Sequence, residues 1–157
     1  MVNAISLVAL FKAKGLTLAT AESCTGGLIA AAITSVPGAS AVFTHGFVTY
    51  ANAAKTETLG VPAELIEEVG AVSESVARRM ADGARQRSGA DFAVSVTGIA
   101  GPDGGTADKP VGTVWFGLAG PNGTTAHQRL FQGDRDAVRA QSVEYALSLA
   151  ENGGMNE

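Results

Sequence analysis

The chain has 157 residues, a length that fits one domain and is enough to bury a hydrophobic core. Its hydrophobic fraction of 46% and charged fraction of 17% are typical of a folded protein and exclude a disordered chain. The formal net charge of −4 gives no general attraction to nucleic acid or to an anionic membrane, so an anion must be recognised at a local site.

Cys24 is the only cysteine, which excludes an internal disulfide and a cysteine-based metal cluster. No apolar run approaches the length that spans a bilayer, and the first six residues lack the basic region of a signal peptide. No group of Asp, Glu and His has a convincing metal-ligand spacing. We therefore expect a cytoplasmic protein that uses no metal and no cofactor.

The first half of the chain alternates helical and strand-like patterns. Ala4, Leu7, Val8 and Phe11 have the spacing of one helical face, and Gly15 is the expected stop. The elements predicted after it are a strand over Leu16–Ala21, a helix over Leu28–Val36, a strand over Ala41–Tyr50 and short helices over Asn52–Leu59 and Pro62–Val69.

The second half predicts a longer helix, three strands and a last helix. The predicted elements are a helix over Ser73–Ser88, strands over Asp91–Thr97, Val111–Ala119 and Thr124–Phe131, and a helix that Asp134 caps. The two predicted inward-facing stripes are Val76, Met80, Gly83 and Ala84 on the first helix and Val143, Ala146, Leu147 and Ala150 on the second.

Turn residues add two expectations about the second half. The run Gly120-Pro-Asn-Gly123 predicts a hairpin, because Asn-Gly supplies two positions that accept positive φ. Residues 152–157 are predicted to fray. Five strands interleaved with helices predict an α/β layered domain with a mixed sheet, and residues 1–157 show no repeat or linker that would divide them.

Three polar turns follow apolar strands, at residues 23–27, 50–55 and 97–105. In layered α/β folds, binding sites gather outside the carboxyl ends of the strands. We therefore expect these three turns to converge on one pocket.

The first of these turns joins a strand to a helix at Ser23. A helix start presents unpaired backbone N–H groups, which would give the Ser23 hydroxyl a neighbouring anion site or oxyanion hole. The alternative is a tight turn in which Thr25 caps the helix and Gly26 and Gly27 provide clearance.

A serine nucleophile needs a base within hydrogen-bond reach. His45 and His127 lie in strand-like runs and favour structural roles. Lys55 lies in a mostly apolar helix where burial would lower its pKa, although a solvated surface lysine fits the same pattern. Tyr50 is a candidate proton relay or an aromatic strand end. Cys24 is a rival nucleophile or inert packing.

The glycine-rich turn Gly98–Gly105 matches neither the P-loop nor the dinucleotide-binding glycine pattern. It suits close approach of the backbone to a ligand, or a flexible connection between strands. Arg135 and Arg139 lie one helical turn apart and are candidates for holding a phosphate or a carboxylate. The alternative is that they pair with Asp134 and Asp136 at a capped helix start.

Six motifs occur in order along nearly the whole chain. They are Thr20–Gly27, Gly46–Tyr50 with Asn52 and Lys55, Gly70–Glu74, Thr97–Gly105, Lys109–Val114 and Gly133–Arg139. Together they resemble the CinA C-terminal domain family, the nicotinamide-nucleotide amidases called PncC. The resemblance implies a three-layer α/β/α fold and hydrolysis of the carboxamide of nicotinamide mononucleotide in pyridine nucleotide salvage.

The resemblance also implies roles for individual residues. Ser23 would be the nucleophile and Lys55 its general base, without a metal, and Tyr50 would position or relay the proton. The residues that it implies for substrate binding are Cys24, Thr25, Gly26 and Gly27 around the oxyanion, and Thr97, Gly98, Gly101 and Arg139 around the ribose phosphate. The implied partner is a small pyridine mononucleotide, and family members tend to form homodimers or larger assemblies.

This chain departs from the family pattern at two positions. Where the family has Ser and Glu between its tyrosine and lysine, this chain has Ala51 and Ala53. We also expect a stand-alone amidase-type domain, without the larger N-terminal domain of CinA-type proteins. Two other functions remain open: a non-catalytic nucleotide- or protein-binding module, and an amidase that uses Cys24.

Overall fold

The structure of the protein is a computed structural model, which describes residues 4–157. Its strands are β1 (Leu18–Glu22), β2 (Phe43–Val48), β3 (Phe92–Gly98), β4 (Thr113–Gly120) and β5 (Gly123–Leu130). Its helices are α1 (Ala4–Lys14), α2 (Leu28–Thr34), α3 (Asn52–Leu59), α4 (Ala63–Val69), α5 (Glu74–Ser88) and α6 (Arg135–Met155), with a short 3₁₀ helix at Ala39–Ala41. Within the described residues, no helix is long and apolar enough to cross a membrane.

The five strands form one mixed sheet in the order β2-β1-β3-β4-β5. Strand β1 runs parallel to both β2 and β3, whereas β3, β4 and β5 pair antiparallel. Every residue of β1 is buried, as expected for a central strand covered on both faces. The carboxyl ends of β1, β2 and β3 therefore lie side by side at one edge of the sheet.

Helices cover both faces of the sheet. On one face α1, α2 and α6 pack around Phe11, Ile29, Phe116 and Leu147. On the other face α3, α4 and α5 pack through residues that include Leu59, Ile66, Val76, Met80 and Ala84. This arrangement confirms the predicted three-layer α/β/α sandwich with a mixed five-stranded sheet.

Most predicted elements are present, and their ends shift by a few residues. The helix Asn52–Leu59 has the predicted bounds because Gly60 ends it in a left-handed conformation. The strand predicted over Ala41–Tyr50 is shorter, since its first residue belongs to the 3₁₀ helix. Pro62 lies just before α4 rather than inside it.

The hairpin is present, but the predicted reason for it is wrong. Gly120 pairs with Gly123, so Pro121 and Asn122 form the loop between β4 and β5. Among the described residues no side-chain-bearing residue has a positive φ, and the positive value falls on Gly123 (φ 122°). Because proline fixes a negative φ at Pro121, the turn leaves the left-handed position to the glycine that follows.

The expectation that residues 152–157 fray is also wrong, since α6 continues to Met155. The missing side chain at Gly154 lets the helix lie against α1, because a Cβ there would stand 2.5 Å from Phe11 Cε1. Lys14 Nζ donates to the carbonyls of Gly154 (2.9 Å) and Met155 (3.2 Å), which satisfies two helix-end acceptors. Tertiary packing thus holds a segment whose composition favours disorder.

Gly83→Ala is expected to destabilise the protein by about 1–3 kcal/mol, the usual cost of overpacking. A Cβ on Gly83 would lie 2.0 Å from the carbonyl oxygen of Leu59, so α5 and α3 would have to separate. Urea denaturation measures the change, with Gln86→Ala on the exposed side of the same helix as the control. Equal stability of Gly83→Ala and the wild type would contradict the observed packing.

Candidate active site

Ser23 directly follows β1, and its backbone N–H donates to the carbonyl of Val96 on β3 (3.0 Å). Lys55 reaches it from α3, whose first turn follows the end of β2. The Nζ atom of Lys55 lies 3.0 Å from Ser23 Oγ, 2.9 Å from the Thr49 carbonyl oxygen and 3.2 Å from the Tyr50 carbonyl oxygen. The parallel pairing of β1 and β2 is what brings these two chain segments together.

Lys55 is a buried amine without a neighbouring counter-charge. Lys55 is 1% exposed, and no carboxylate within the described part of the chain forms an ion pair with it. Burial therefore lowers the pKa of Lys55 from its ordinary value of 10.5. The neutral form of the Lys55 amine is therefore easier to reach near neutral pH than that of an exposed lysine.

The two carbonyls also orient the Lys55 amine. A neutral amine has two N–H donors and one lone pair, and a backbone carbonyl can only accept. When the carbonyls of Thr49 and Tyr50 take both N–H groups, the lone pair is left for the third neighbour, the Ser23 hydroxyl. In this state Ser23 O–H donates to Lys55 Nζ, which is the contact a general base needs.

The two departures from the family pattern do not remove these contacts. Ala51 and Ala53 cannot hold Lys55 through their side chains, yet its amine is held by backbone carbonyls of Thr49 and Tyr50. A backbone acceptor does not depend on the side chains that were lost.

The turn after Ser23 is organised by Glu22, a residue that the sequence analysis did not single out. Glu22 is fully buried, and its Oε1 accepts from Thr25 Oγ1 (2.6 Å), Gly27 N–H (3.2 Å) and Ile29 N–H (2.9 Å). Its Oε2 accepts from Ala30 N–H (3.0 Å). The sequence did contain a signal for this role of Glu22. It is an acidic residue shortly before a helix start, where the helix dipole favours a carboxylate.

The start of α2 does not offer the anion site that the sequence predicted, because Glu22 already occupies it. The N–H groups of Gly27, Ile29 and Ala30 are already donated to its carboxylate, so they cannot bind an oxyanion. Thr25 does not cap the helix either, because Gly27 is the N-cap residue and has no side chain to accept a bond.

The same hydrogen bonds leave two backbone donors in the turn. Gly26 N–H donates to the Ser23 carbonyl and Leu28 N–H to the Thr25 carbonyl, each at 3.0 Å. Within the described residues, the N–H groups of Cys24 and Thr25 have no such backbone acceptor. The candidate oxyanion donors therefore narrow from four residues to these two.

A cavity of about 270 Å³ opens beside Ser23. Its walls are Ser23, Cys24, Tyr50, Arg135, the last residue of β3 (Gly98) and the loop after it, which includes Gly101 and Asp103. The structure thus brings the three polar turns of the sequence to one pocket, where a substrate would meet the Ser23 hydroxyl.

Two predicted substrate-binding side chains are directed elsewhere. Thr97 is buried, donates its hydroxyl to the Ala71 carbonyl (3.0 Å) and does not line the cavity. Arg139 donates from Nε to the Cys24 carbonyl (3.1 Å) and from Nη2 to the Thr25 carbonyl (3.4 Å). Arg139 therefore braces the turn that carries Ser23.

Arg135 is the arginine that lines the cavity. Its Nη1 donates to the Gly101 carbonyl (2.8 Å) and its Nη2 to the Tyr50 hydroxyl (3.1 Å). The alternative of an ion-paired helix start is not observed, since neither arginine pairs with an acidic residue in the part of the chain described. Asp134 caps α6 by accepting from Ala137 N–H (2.9 Å).

Other candidate reactive groups are poorly placed for catalysis. Burial raises the pKa of Cys24 to about 11, so its thiol stays protonated at neutral pH and is a weak nucleophile. His45 stacks on Phe47 of the edge strand β2, and neither it nor His127 on β5 lines the cavity. In residues 4–157 no three His, Cys, Asp or Glu residues cluster to hold a metal ion.

The family model of the CinA C-terminal domain matches residues 3–152. The chain belongs to the CinA C-terminal domain family. A protein of Enterobacter agglomerans named nicotinamide-nucleotide amidohydrolase PncC is 58% identical to this CinA domain over 93% of the chain and 90% of its own length. A putative competence-damage inducible protein of Symbiobacterium thermophilum is 60% identical over 87% of the chain. The chain spans 34% of that protein's length and about the same share of several other CinA-like relatives.

Solved structures show the same fold. A CinA superfamily protein from Klebsiella pneumoniae superimposes with a TM-score of 0.94 at 36% identity, over 98% of this chain and 96% of that one. The competence/damage inducible protein CihA from Agrobacterium tumefaciens gives a TM-score of 0.91 at 48% identity, over 95% and 93% of the two chains. The family resemblance found in the sequence is thereby confirmed.

Proposed function

We propose that this CinA domain hydrolyses the carboxamide of nicotinamide mononucleotide to nicotinic acid mononucleotide and ammonia. The observation that carries the proposal is the 3.0 Å contact between Ser23 Oγ and the Nζ of Lys55, a buried amine held by two carbonyls. The 58% identical PncC relative, named for nicotinamide-nucleotide hydrolysis, supports the choice of substrate.

In the proposed acylation, Ser23 Oγ attacks the carboxamide carbon while its proton passes to the neutral amine of Lys55. The N–H groups of Cys24 and Thr25 stabilise the oxyanion that forms. The tetrahedral intermediate then collapses as the carbon–nitrogen bond breaks. Lys55 returns the proton to the departing nitrogen, which leaves as ammonia, and the acyl group remains as an ester on Ser23.

In the proposed deacylation, water takes the place of ammonia. Lys55 accepts a proton from the water as it attacks the ester, and then passes that proton to Ser23 Oγ as the carboxylic acid leaves and ionises in solvent. Tyr50 supports both steps through its backbone carbonyl, which holds the Lys55 amine. We assign Tyr50 this positioning role because its hydroxyl is bonded to Arg135.

An ammonia-release assay tests the proposed reaction with nicotinamide mononucleotide, nicotinamide riboside and free nicotinamide as substrates. We expect release from the mononucleotide to be fastest, and Ser23→Ala to abolish it. Tight nucleotide binding without ammonia release from any substrate would contradict the proposal and support a non-catalytic binding module.

Cys24→Ser is expected to keep wild-type kcat within about threefold, because the thiol stays protonated and contributes its backbone N–H rather than its sulfur. The assay is steady-state ammonia release. Ser23→Cys is the comparison variant, because it makes the reverse exchange of serine and cysteine at the neighbouring position. A loss of activity in Cys24→Ser as large as that in Ser23→Ala would instead favour a Cys24 amidase.

We further propose that the domain acts in pyridine nucleotide salvage in the cytoplasm, as a homodimer or larger homo-oligomer that does not bind nucleic acid. The net charge of −4 supports the last point. Light scattering coupled to gel filtration measures the assembly, and a monomer at micromolar concentration would contradict it.

A further inference from the structure

We infer that Lys109 is a positioning residue, which sets the shape of the catalytic cavity by tying its glycine-rich wall to the end of α4. The inference rests on the proposed function, since it concerns how the same cavity holds its substrate. It also gives a role to two motifs of the sequence, Gly70–Glu74 and Lys109–Val114, that the catalytic pair does not use.

The wall of the cavity belongs to the long connection between β3 and β4. This connection runs over residues 99–112, and its first part supplies Ile99 and Gly101 to the cavity. Its two ends are joined, since Gly112 N–H donates to the Ile99 carbonyl (2.7 Å). Residues 102–108 in its middle are exposed, so contacts made elsewhere must fix the conformation of the connection.

Lys109 makes such a contact. The residue is half-buried, and its Nζ donates to the carbonyl of Val69, the last residue of α4, at 2.7 Å. That carbonyl lies at a helix end, where it has no partner within the helix. Because α4 has no basic residue in its own last turn, the Lys109 ammonium supplies the cation that the helix dipole favours there.

The residues after α4 are arranged around this tether. Gly70 has a φ of +81°, and a Cβ there would stand 3.1 Å from Lys109 Nζ, so the missing side chain leaves room for the amine. The Ala71 carbonyl accepts from Thr97 Oγ1 (3.0 Å) near the end of β3. The segment that follows α4 therefore holds the connection both at its base and in its second half.

Val111 transmits the tether to the cavity wall. It lies two residues after Lys109 and packs against the first half of the connection. A Cβ on Gly101 would lie 2.5 Å from Val111 Cγ1, and a Cβ on Gly105 would lie 2.8 Å from the Val111 backbone nitrogen. The two halves of the connection thus meet at positions without a side chain, and a shift of Val111 would move Gly101.

Gly101 is held from a second direction as well. Its carbonyl accepts from Arg135 Nη1 (2.8 Å), and Gly101 lines the cavity beside Ser23. The wall is therefore fixed between Arg135 and Val111. Loss of the Lys109 tether removes the restraint behind Val111 but none of the contacts between Ser23 and its base, so we expect the effect to appear in substrate binding.

Lys109→Met is expected to raise KM for nicotinamide mononucleotide by about tenfold, as for the loss of a hydrogen bond to a charged group, and to lower kcat by less than about threefold. Lys109→Arg should recover most of the wild-type KM, because a guanidinium also donates to a helix-end carbonyl.

Lys14→Met is the matched control. The Nζ of Lys14 likewise donates to helix-end carbonyls, those of Gly154 and Met155, but Lys14 does not line the cavity. We expect this variant to lose a comparable tether and to keep its KM within about twofold of the wild type.

Hydrogen exchange provides a readout that does not depend on activity. Residues 99–112 should exchange faster in Lys109→Met than in the wild type or in Lys14→Met. If the wild type releases no ammonia, the proposed function fails, and calorimetry with nicotinic acid mononucleotide then replaces KM. Weaker binding by Lys109→Met alone would support the inference even so. An unchanged KM or affinity in Lys109→Met, a loss confined to kcat, or an equal rise of KM in Lys14→Met would overturn it.

Discussion

Lys55→Met is expected to lower kcat for ammonia release by at least about 10³-fold, within the range that general-base removal produces. Methionine has a similar length but offers no lone pair to the Ser23 hydroxyl, 3.0 Å from the amine in the native protein. Lys12→Met, at an exposed position on α1, is the matched control. Circular dichroism of both variants separates lost catalysis from lost folding.

The pH dependence follows from the direction of the Lys55 shift. Burial lowers the pKa of Lys55 below 10.5, and only the neutral amine accepts the proton of Ser23. We expect log kcat/KM to rise with a slope of about one as pH increases toward that pKa, and to level off at a pH below 10.5. A rate that falls across this range would contradict the assignment of Lys55 as the base.

Lys55→Arg provides a second comparison at the same position. Arginine keeps the positive charge and the donors but stays protonated at all accessible pH values, so it cannot act as a base. We expect it to be inactive at every pH, unlike a variant that merely loses a structural contact. Appreciable activity in Lys55→Arg would show that positive charge, rather than a lone pair, is what Ser23 requires.

Glu22→Ala is expected to destabilise the protein by about 3 kcal/mol or more, because removing a buried acceptor leaves several donors unsatisfied. The donors are Thr25 Oγ1 and the N–H groups of Gly27, Ile29 and Ala30. We also expect kcat to fall by at least about tenfold, since the same bonds fix the turn that carries Ser23.

The Glu22 prediction is measured by urea denaturation and by ammonia release. Glu64→Ala is the control, because Glu64 is an exposed glutamate in the first turn of α4. Glu22→Gln should be intermediate, since it keeps one acceptor oxygen and turns two donors toward the N–H groups of α2. Wild-type stability in Glu22→Ala would contradict the role of this carboxylate in organising the turn.

The sequence predicted the layers of the fold because local patterns of apolar and turn residues identify most helices and strands. Apolar spacing identified α1 and the stripe of α5, and Gly60 marked the end of α3. Local patterns do not predict features of the fold that depend on contacts between segments distant in the sequence. The last turn of α6 is ordered because Gly154 packs on Phe11, and neither residue predicts that contact alone.

The candidate site was predicted in part for a similar reason. Motif resemblance pointed to Ser23 and Lys55, which the structure places in contact. Arg135 and Arg139 are one turn apart on α6, so spacing alone cannot distinguish the arginine that lines the cavity from the one that braces the turn. Glu22 was missed because a charged residue at the end of an apolar strand ordinarily indicates exposure, whereas here it is fully buried.

The central claim is that Ser23, activated by the neutral amine of Lys55, forms an acyl-enzyme with the substrate. Acid-quenching the protein during turnover of nicotinamide mononucleotide, followed by peptide mass mapping, tests this most directly. The account predicts an ester of nicotinic acid mononucleotide on the peptide that contains Ser23, located on the serine by fragmentation and absent from Ser23→Ala. An adduct on Cys24, or full ammonia release by Ser23→Ala, would contradict it.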